Sequence, residues 1–394
     1  MKIIYFSPHP NLFLNISSGP GVHMREMINA MEELGHEVKP VIMGGIDAQF
    51  TSSGNDSKGS TSLKDKAKKF IPNRIWSTLK DFKLTRFDQH AKDMLRKAVE
   101  DFQPDLIYER ANFSMTSGVE LASEMGIRHV LEMNAPYPEE KAIMEGKGLQ
   151  HAFAVRQENV QLTKTDVVVV VSTALEKYVL DRNPYALVIV TPNAIRKNFK
   201  PNGKGVQIRE ELSIPKEAVL FGFVGSIFPY HGVDRLITAF TKVKGNAQLL
   251  IVGDGYVLPE LKQQANSSGV ADLVHFTGGV PHSEVPSYLD AMDVTIMATS
   301  NWYGSPVKIF EYGALKKAII APNVVPVQDV MVSNEDGLLV APTETSIAEA
   351  MNTLLNDAEL REKLASNFNG KVMENHTWDQ MAKKVISALE RIKK

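Results

Sequence analysis

The 394-residue chain contains no cysteine. That excludes a disulfide framework, a thiolate nucleophile and cysteine-held zinc or iron–sulfur sites, and it favours a reducing compartment. No apolar run approaches the roughly 20 residues that a membrane span needs. The opening MKIIYFSPHPNLF is interrupted by Pro8 and Pro10 before it reaches the length of a leader's apolar core, so no leader is expected. No D-x-D signature and no His/Asp cluster at ligand spacing occurs, so neither a metal nor a resident cofactor is expected. VGDGYVL (252–258) lacks the third glycine of a dinucleotide fingerprint and lies mid-chain, so it reads as a tight turn. Neither sign of charge dominates, the net being −2.

What is present is the composition of a soluble globular protein, 43% apolar and 23% charged, long enough for two domains. A cytoplasmic location is the expectation. The charge is unevenly spread. Residues 58–97 hold twelve Lys or Arg against four Asp, a local net of +8, which leaves about −10 for the rest. Within them Phe70, Ile71, Ile75, Trp76, Leu79, Phe82 and Leu84 interleave with the cations. Such a basic amphipathic stretch suits an anionic membrane surface, at the inner face of the cell membrane, or a lipid-phosphate acceptor. A solvated helix packing its aromatics on its own domain is the alternative. Nucleic acid is disfavoured because the remaining surface is acidic.

KIIYFS (2–7) is a short apolar run bounded by prolines, as for a buried strand. Met24, Met27, Ile28, Met31 and Leu34 follow at helical spacing, with Gly35 placed to end the helix, and EVKPVIM reads as the next strand. The methionines read as core packing. Further strands are expected at 105–110, 128–133, 166–172 and 186–193. The polar, Pro- and Gly-rich 196–218 reads as a linker. A second alternation of strands and helices then runs from VLFGFVGSI to DGLLVAP, with His275 in an apolar strand as a satisfied core residue, and a tail helical throughout from 345. Two doubly wound α/β domains with ligand binding in a cleft between them is the reading.

SPVKIFEYGALKKAII (305–320) carries the most chemistry. Ser305 suits an N-cap and Pro306 the first helical position. The free amides of Val307, Lys308 and Ile309, the helix dipole and the Lys308 ammonium would then form an anion site. Glu311, one turn on, could accept hydrogen bonds from vicinal hydroxyls such as those of a ribose. Phosphate at a helix mouth with a ribose beside it is the footprint of a nucleotide.

LEMNAP, VTPNAI, FVGSIFPYHGVDRLITAF, LLIVGDG, VHFTGGVPHSEVPSYLDAMDVTIMATS and SPVKIFEYGALKKAIIAP occur in order after a glycine loop and GHEV. This series resembles the retaining GT-B glycosyltransferases of glycosyltransferase family 4, from first strand to last helix, and most of all those that build exopolysaccharides or cell-surface polysaccharides. The resemblance implies the GT-B fold: two doubly wound Rossmann-like domains facing a central cleft. The acceptor domain would be 1–196, the nucleotide-sugar domain 197–375, and 376–394 a helix packing back on the first. Of the family's two glutamates with seven residues between them, the second, which binds the donor, matches Glu311, and the first falls on Tyr303. Its Arg and Lys that clamp the diphosphate match Ser226 and His231, with Lys308 as partial replacement. Asn134 falls near the family's catalytic-site His, and Glu132 shares its strand face, reading either as the base that takes the acceptor proton or as a structural strand-end carboxylate. Gly19, Gly21 and His23 sit where the family faces the donor phosphates or the acceptor, Val280 where its backbone reads the base, and Asn193 at its hinge-side turn.

The implied activity is metal-independent transfer, with retention, of a hexose from a nucleotide-sugar, UDP-linked and best matched by UDP-glucose, to a glycan or lipid-linked glycan. A non-catalytic nucleotide-sugar-binding subunit, or another enzyme on the same frame such as an epimerase or phosphorylase, is the alternative.

Overall fold

The structure, a computed structural model, describes residues 1–16, 19–47 and 73–391, without the side chains of 73–77 and 79. Most of the aromatic and basic residues of 58–79 therefore lie outside the described residues. The chain divides into two units, Met1–Thr191 with Ala382–Lys394, and Pro192–Met381.

The first unit contains one parallel sheet of six strands: β1 (Lys2–Ser7), β2 (Glu37–Ile42), β3 (Leu106–Arg110), β4 (Arg128–Met133), β5 (Val167–Val170) and β6 (Val188–Val190), in the order β2-β1-β3-β4-β5-β6. Strands β3 and β5 are buried along their whole length, as a parallel sheet covered on both faces requires. Pro40, which cannot donate to a ladder, sits on the edge strand β2. The helices are α1 (Gly19–Glu33), α2 (Asn73–Phe102), α3 (Ser117–Met125), α4 (Tyr137–Glu145), α5 (His151–Lys164) and α6 (Thr173–Leu180). Met24, Met27 and Met31 of α1 are buried, as their spacing predicts.

The second unit repeats the plan with β7 (Val219–Val224), β8 (Ala247–Val252), β9 (Val274–Gly278), β10 (Val294–Ile296), β11 (Ala318–Pro322) and β12 (Leu338–Val340). Its order β9-β8-β7-β10-β11-β12 is that of a doubly wound nucleotide-binding sheet, with the reversal of direction between β7 and β10. Its helices are α7 (Gly205–Glu211), α8 (Val233–Phe240), α9 (Leu258–Ser267), α10 (Val285–Ala291), α11 (Val307–Ala314), α12 (Val325–Gln328), α13 (Glu344–Asn356) and α14 (Ala358–Asn375), and α15 (Trp378–Arg391) follows. Apolar clusters cover both sheet faces.

Two expectations are corrected here. The segment 196–218 is not a plain linker, because α7 forms in it and buries Ile208. A Cβ at Gly205 would fall 2.6 Å from the backbone of Asp290, so the start of α7 lies directly on the end of α10. The tail is not one continuous helix. Asp357 caps α14, its Oδ1 accepting from the Leu360 amide at 2.8 Å, and Thr377 bridges Ile195 in extended pairing. His275 is satisfied as expected, its Nε2 lying 2.8 Å from Gln248 Oε1.

The loops after β7 and β8 meet backbone to backbone. A Cβ at Gly253 would stand 1.9 Å from the Gly225 carbonyl oxygen, and one at Gly255 1.9 Å from that of Ile227. The Ile227 amide donates to Asp254 O at 2.8 Å. VGDG is thus a close-approach turn. Gly253→Ala is expected to cost at least ~2 kcal/mol, since φ is +142° there and no side chain exists to yield. Urea unfolding of the variant against the parent measures this.

Candidate functional site

In each unit the polar groups gather at the carboxyl ends of the parallel strands. In the first, the end of β4 delivers Glu132, fully buried. Its Oε1 accepts from Arg110 Nη1 and from Asn134 Nδ2, both at 2.6 Å. Its Oε2 accepts from Tyr108 Oη at 2.9 Å, with Tyr5 Oη at 3.4 Å and His23 Nε2 at 3.0 Å. Strands β1, β3 and β4 and helix α1 therefore converge on one carboxylate. Tyr5 and Tyr108 stack at 5.2 Å beneath it. Burial on its own would raise the pKa of Glu132. The charge and hydrogen bond of His23, the Arg110 charge and the Asn134 amide together hold it well below the usual carboxylate range.

That corrects one expectation. A carboxylate so stabilised as an anion is a poor base, so Glu132 does not fit the role of taking the acceptor proton. It instead fixes the positions of His23, Arg110 and Asn134. Asn134 commits one of its two amide N–H groups to Glu132, and its carbonyl oxygen is an acceptor. Gly21 is required where it stands, since a Cβ would come 2.5 Å from Ile16 O, whereas Gly19 meets nothing within 4 Å. Arg25, from the same helix, holds that loop by donating to Leu14 O and Ile16 O at 2.5 and 2.9 Å. Arg110, the last residue of an apolar strand, was a readable signal that the sequence analysis passed over. Tyr5 and Tyr108 carried none, being aromatic residues in buried strands.

The same unit holds a cavity of about 620 Å³ between α2, α4 and the loops after β1 and β3. Leu84, Phe87, Phe113 and Met144 give it apolar walls, and Lys80, Lys83 and Lys141 line it together with Glu140 and Glu145, Glu145 lying 4.0 Å from Lys80 and 3.6 Å from Lys141. To one side, the Tyr178 hydroxyl meets the carboxylates of both Glu139 and Glu158, the latter at 2.5 Å. One phenolic proton cannot serve two anions. Burial above all, with the Glu139 charge adding to it, pushes Glu158 up to about 7.

In the second unit the site lies where the sheet reverses. Helix α11 starts one residue later than the sequence predicts: Pro306 occupies the cap position, not Ser305. The Ser305 hydroxyl is taken by the Asn193 amide at 2.9 Å, and the Asn193 side chain donates to Ser305 O at 2.6 Å. Asn193 thereby secures the turn ahead of the helix. The Val307 and Lys308 amides keep the first-turn geometry that has no intrahelical acceptor. Lys308 Nζ lies 4.5 Å from the Phe223 ring centroid and would stand 3.3 Å from a Cβ on Gly225. Burial lowers its pKa to about 8, with Glu311 opposing.

His231 corrects a second expectation. Its Nδ1 donates to Ser226 O at 2.5 Å. Burial first, and then the Lys308 charge, lower its pKa to about 4. It is therefore neutral at physiological pH and presents a lone pair on Nε2, so it adds no cation to a phosphate clamp. Ser226 is exposed, with its carbonyl engaged by His231. Tyr303 is buried and packs edge-on against Trp302 at 5.3 Å. Glu311 is mostly buried, its Oε1 3.2 Å from His282 Nε2. Since His282 follows Val280 by two residues, the Val280 loop and the Glu311 carboxylate are neighbours, as a base-and-ribose subsite needs. His282 was missed because 29 residues separate it from Glu311 and nothing in PHSE hints at the contact. Among the described residues no group of three His, Asp or Glu is placed to hold a metal.

Two family models match, one for each half: Glycosyltransferase Family 4 over residues 17–199 and Glycosyl transferases group 1 over 206–369. An alpha-D-kanosaminyltransferase of Streptomyces kanamyceticus is 27% identical over 43% of this chain and 45% of its own length. A GDP-mannose-dependent alpha-(1-6)-phosphatidylinositol monomannoside mannosyltransferase of Mycobacterium tuberculosis is 27% identical over 57% of this chain and 62% of its own. The matches thus span about half to three fifths of those relatives. Among solved structures, a sucrose-phosphate synthase from Thermosynechococcus elongatus superposes with a TM-score of 0.73 at 17% identity, over 99% of this chain and 98% of that one. The Anabaena HepE protein in complex with UDP-glucose superposes with a TM-score of 0.70 at 16% identity, over the full length of both. The fold is the two-domain GT-B fold of these proteins.

Two perturbed carboxyls of the first unit, Glu132 and Glu158, predict opposite pH dependences. Glu132, depressed in the folded state, contributes stability above its unfolded value near about pH 4.3, which is lost as the pH falls below it. Glu158, raised to about 7, contributes stability that is complete below its unfolded value near about pH 4.3 and is lost as the pH rises from there to about 7. Glu158→Gln should remove a loss of up to ~3 kcal/mol between about pH 5 and 8, read by denaturant titration at each pH. Glu132→Gln should cost about 3–5 kcal/mol at neutral pH, by leaving Arg110 buried without its counter-ion.

Proposed function

The chain belongs to the GT-B glycosyltransferases of family 4 type, and from that premise we propose that it moves a hexose, with retention, from a nucleotide-sugar to a glycan or lipid-linked glycan. The observation that carries this is the mouth of α11. Two first-turn amides, a half-buried ammonium and a carboxylate one turn on stand together at the carboxyl edge where a doubly wound sheet reverses. Amides and ammonium suit a diphosphate, and Glu311, with His282 orienting it, suits ribose hydroxyls. The backbone at Val280 would then lie beside the base.

The reaction this supports is leaving-group departure helped by fixed dipoles and one cation. Lys308 and the α11 amides provide the positive potential that a metal supplies in other transferases. Tyr303 offers the donor sugar one hydroxyl in place of a charge, and His231 an acceptor lone pair in place of a cation. In the acceptor unit, Asn134 presents its carbonyl to a sugar hydroxyl, and His23 and Arg110 are held by Glu132. A UDP-sugar is the proposed donor, and UDP-glucose in particular, in line with the ligand of the HepE complex. The apolar cavity with Lys80 and Lys83 on its lining suits an acceptor with an apolar or anionic part, such as a lipid-linked glycan. A location at the inner membrane face follows from that acceptor. No helix of the described residues is long and apolar enough to cross a membrane.

A panel of UDP-, GDP-, ADP- and CMP-sugars with EDTA present tests the reading by melting shift and slow nucleotide release. Stabilisation by UDP-glucose with release of UDP is expected. An intact nucleotide site with no turnover on any acceptor would instead favour a non-catalytic subunit, and turnover without an acceptor an epimerase. Glu311→Ala should weaken donor binding by about tenfold or more, the loss of a charge-assisted hydrogen bond. Because free Lys308 titrates near 8, UDP affinity should fall as the pH rises through that value, and Lys308→Gln should both weaken binding and flatten the profile. Titration calorimetry between about pH 7 and 9.5 reads both effects.

A further inference from the structure

The second unit carries a second concave feature that the transfer reaction does not use. A cavity of about 240 Å³ lies between the first turns of α8 and α9, roofed by the loop after β7. Beside it three aromatic rings stand exposed in series. Tyr230 stacks on Phe228 with centroids 5.5 Å apart and planes within 17°, and Phe228 meets Tyr256 at 6.2 Å. Tyr256 is 69% exposed and Tyr230 57% exposed, far more than packing in a fold would leave. The rings come from two different loops, the ones locked together at Gly253 and Gly255, so the ladder is held in place without any ligand.

The polar groups in the lining of the cavity are of one kind. Asp234, Glu260 and Gln264 line it. Gln264 spends its side-chain amide on Asp234 O at 2.8 Å and Thr238 Oγ1 at 2.9 Å, which leaves its carbonyl oxygen. Neither carboxylate is paired with a cation among the described residues. The cavity thus joins hydrogen-bond acceptors to an apolar lining that includes the Phe228 ring, with the Tyr230 and Tyr256 rings against Phe228 beside it. Its complement is a small molecule with several hydroxyl donors around its edge and an apolar C–H face, which is the anatomy of a neutral pyranose. Anions are excluded by the two carboxylates.

We propose that this cavity and its aromatic ladder form a second sugar subsite, which holds a neutral hexopyranose of the glycan on the same unit as the donor site. Its use to the enzyme rests on the glycan-transfer reading above, because a chain held here raises the local concentration of acceptor or product. Its existence does not depend on that reading.

Saturation-transfer NMR on the full chain tests the proposal, with the methyl α-pyranosides of glucose, galactose and mannose, and maltotriose, as probes. Saturation should pass from aromatic protons to the C–H protons of at least one probe, both with and without saturating UDP. Tyr256→Ala, at a highly exposed ring, should weaken that binding roughly three- to tenfold, and Glu260→Ala should weaken it too. UDP affinity should be unchanged in both variants. Sugar saturation that persists in a protein unable to bind UDP would refute the transfer reading and leave the subsite standing. UDP binding with no saturation of any probe would overturn the subsite. So would saturation undiminished by Tyr256→Ala, or displacement of the sugar by choline chloride at equal concentration.

Discussion

Parallel strands can be joined only by crossovers that return the chain to the same starting edge, so every strand of both sheets ends on one side. That constraint decides where chemistry can be placed in this protein. At the carboxyl edge the chain leaves each strand in a loop and enters a helix, so free amides, loop side chains and strand-end side chains meet there. The first sheet brings Glu132, Arg110 and His23 together in this way, from β4, β3 and α1. The second brings Lys308, Glu311 and His282. Residues distant in sequence become neighbours because the winding rule makes them so.

The two edges are electrostatically different. In the first unit the buried charges cancel among themselves: the Glu132 carboxylate is surrounded by a guanidinium, an imidazole, an amide and two phenols. Such a cluster is rigid and gives up protons reluctantly, which suits it to hold a substrate in register. In the second unit the Lys308 ammonium has an aromatic face and a glycine backbone beside it, and burial presses it toward neutrality. A group left that unsatisfied gains most from an incoming anion. Charge is compensated within the protein in one half and left less compensated in the other.

Much of this could be read from the residues. Strands showed themselves as apolar runs such as VVVV and AQLLIV, since a sheet covered on both faces leaves polar residues nowhere to alternate. The helix mouth before Glu311 was legible from Ser-Pro and a lysine, although the cap fell on Pro306 and Ser305 went to Asn193. Helix α7 was not legible, because seven residues with one buried face look like any polar linker until Gly205 is seen against α10. Nor could the protonation of His231 or Glu132 be inferred. Both depend on partners, Ser226 O and Lys308 in one case and Arg110 and His23 in the other, that only the fold supplies.

The contact of bare backbone between residues 225–227 and 253–255 limits how this protein can change. Where side chains separate two loops, a swap of one size for another lets the gap widen or close, and a lineage can drift toward a new substrate by small steps. Here there is nothing to swap. The loops after β7 and β8 behave as a single hard plate, and any novelty in what the second unit accepts must arise around its rim, at Tyr303, Val280 or the exposed rings. Adaptation is thereby steered to the positions where it does least harm to the fold.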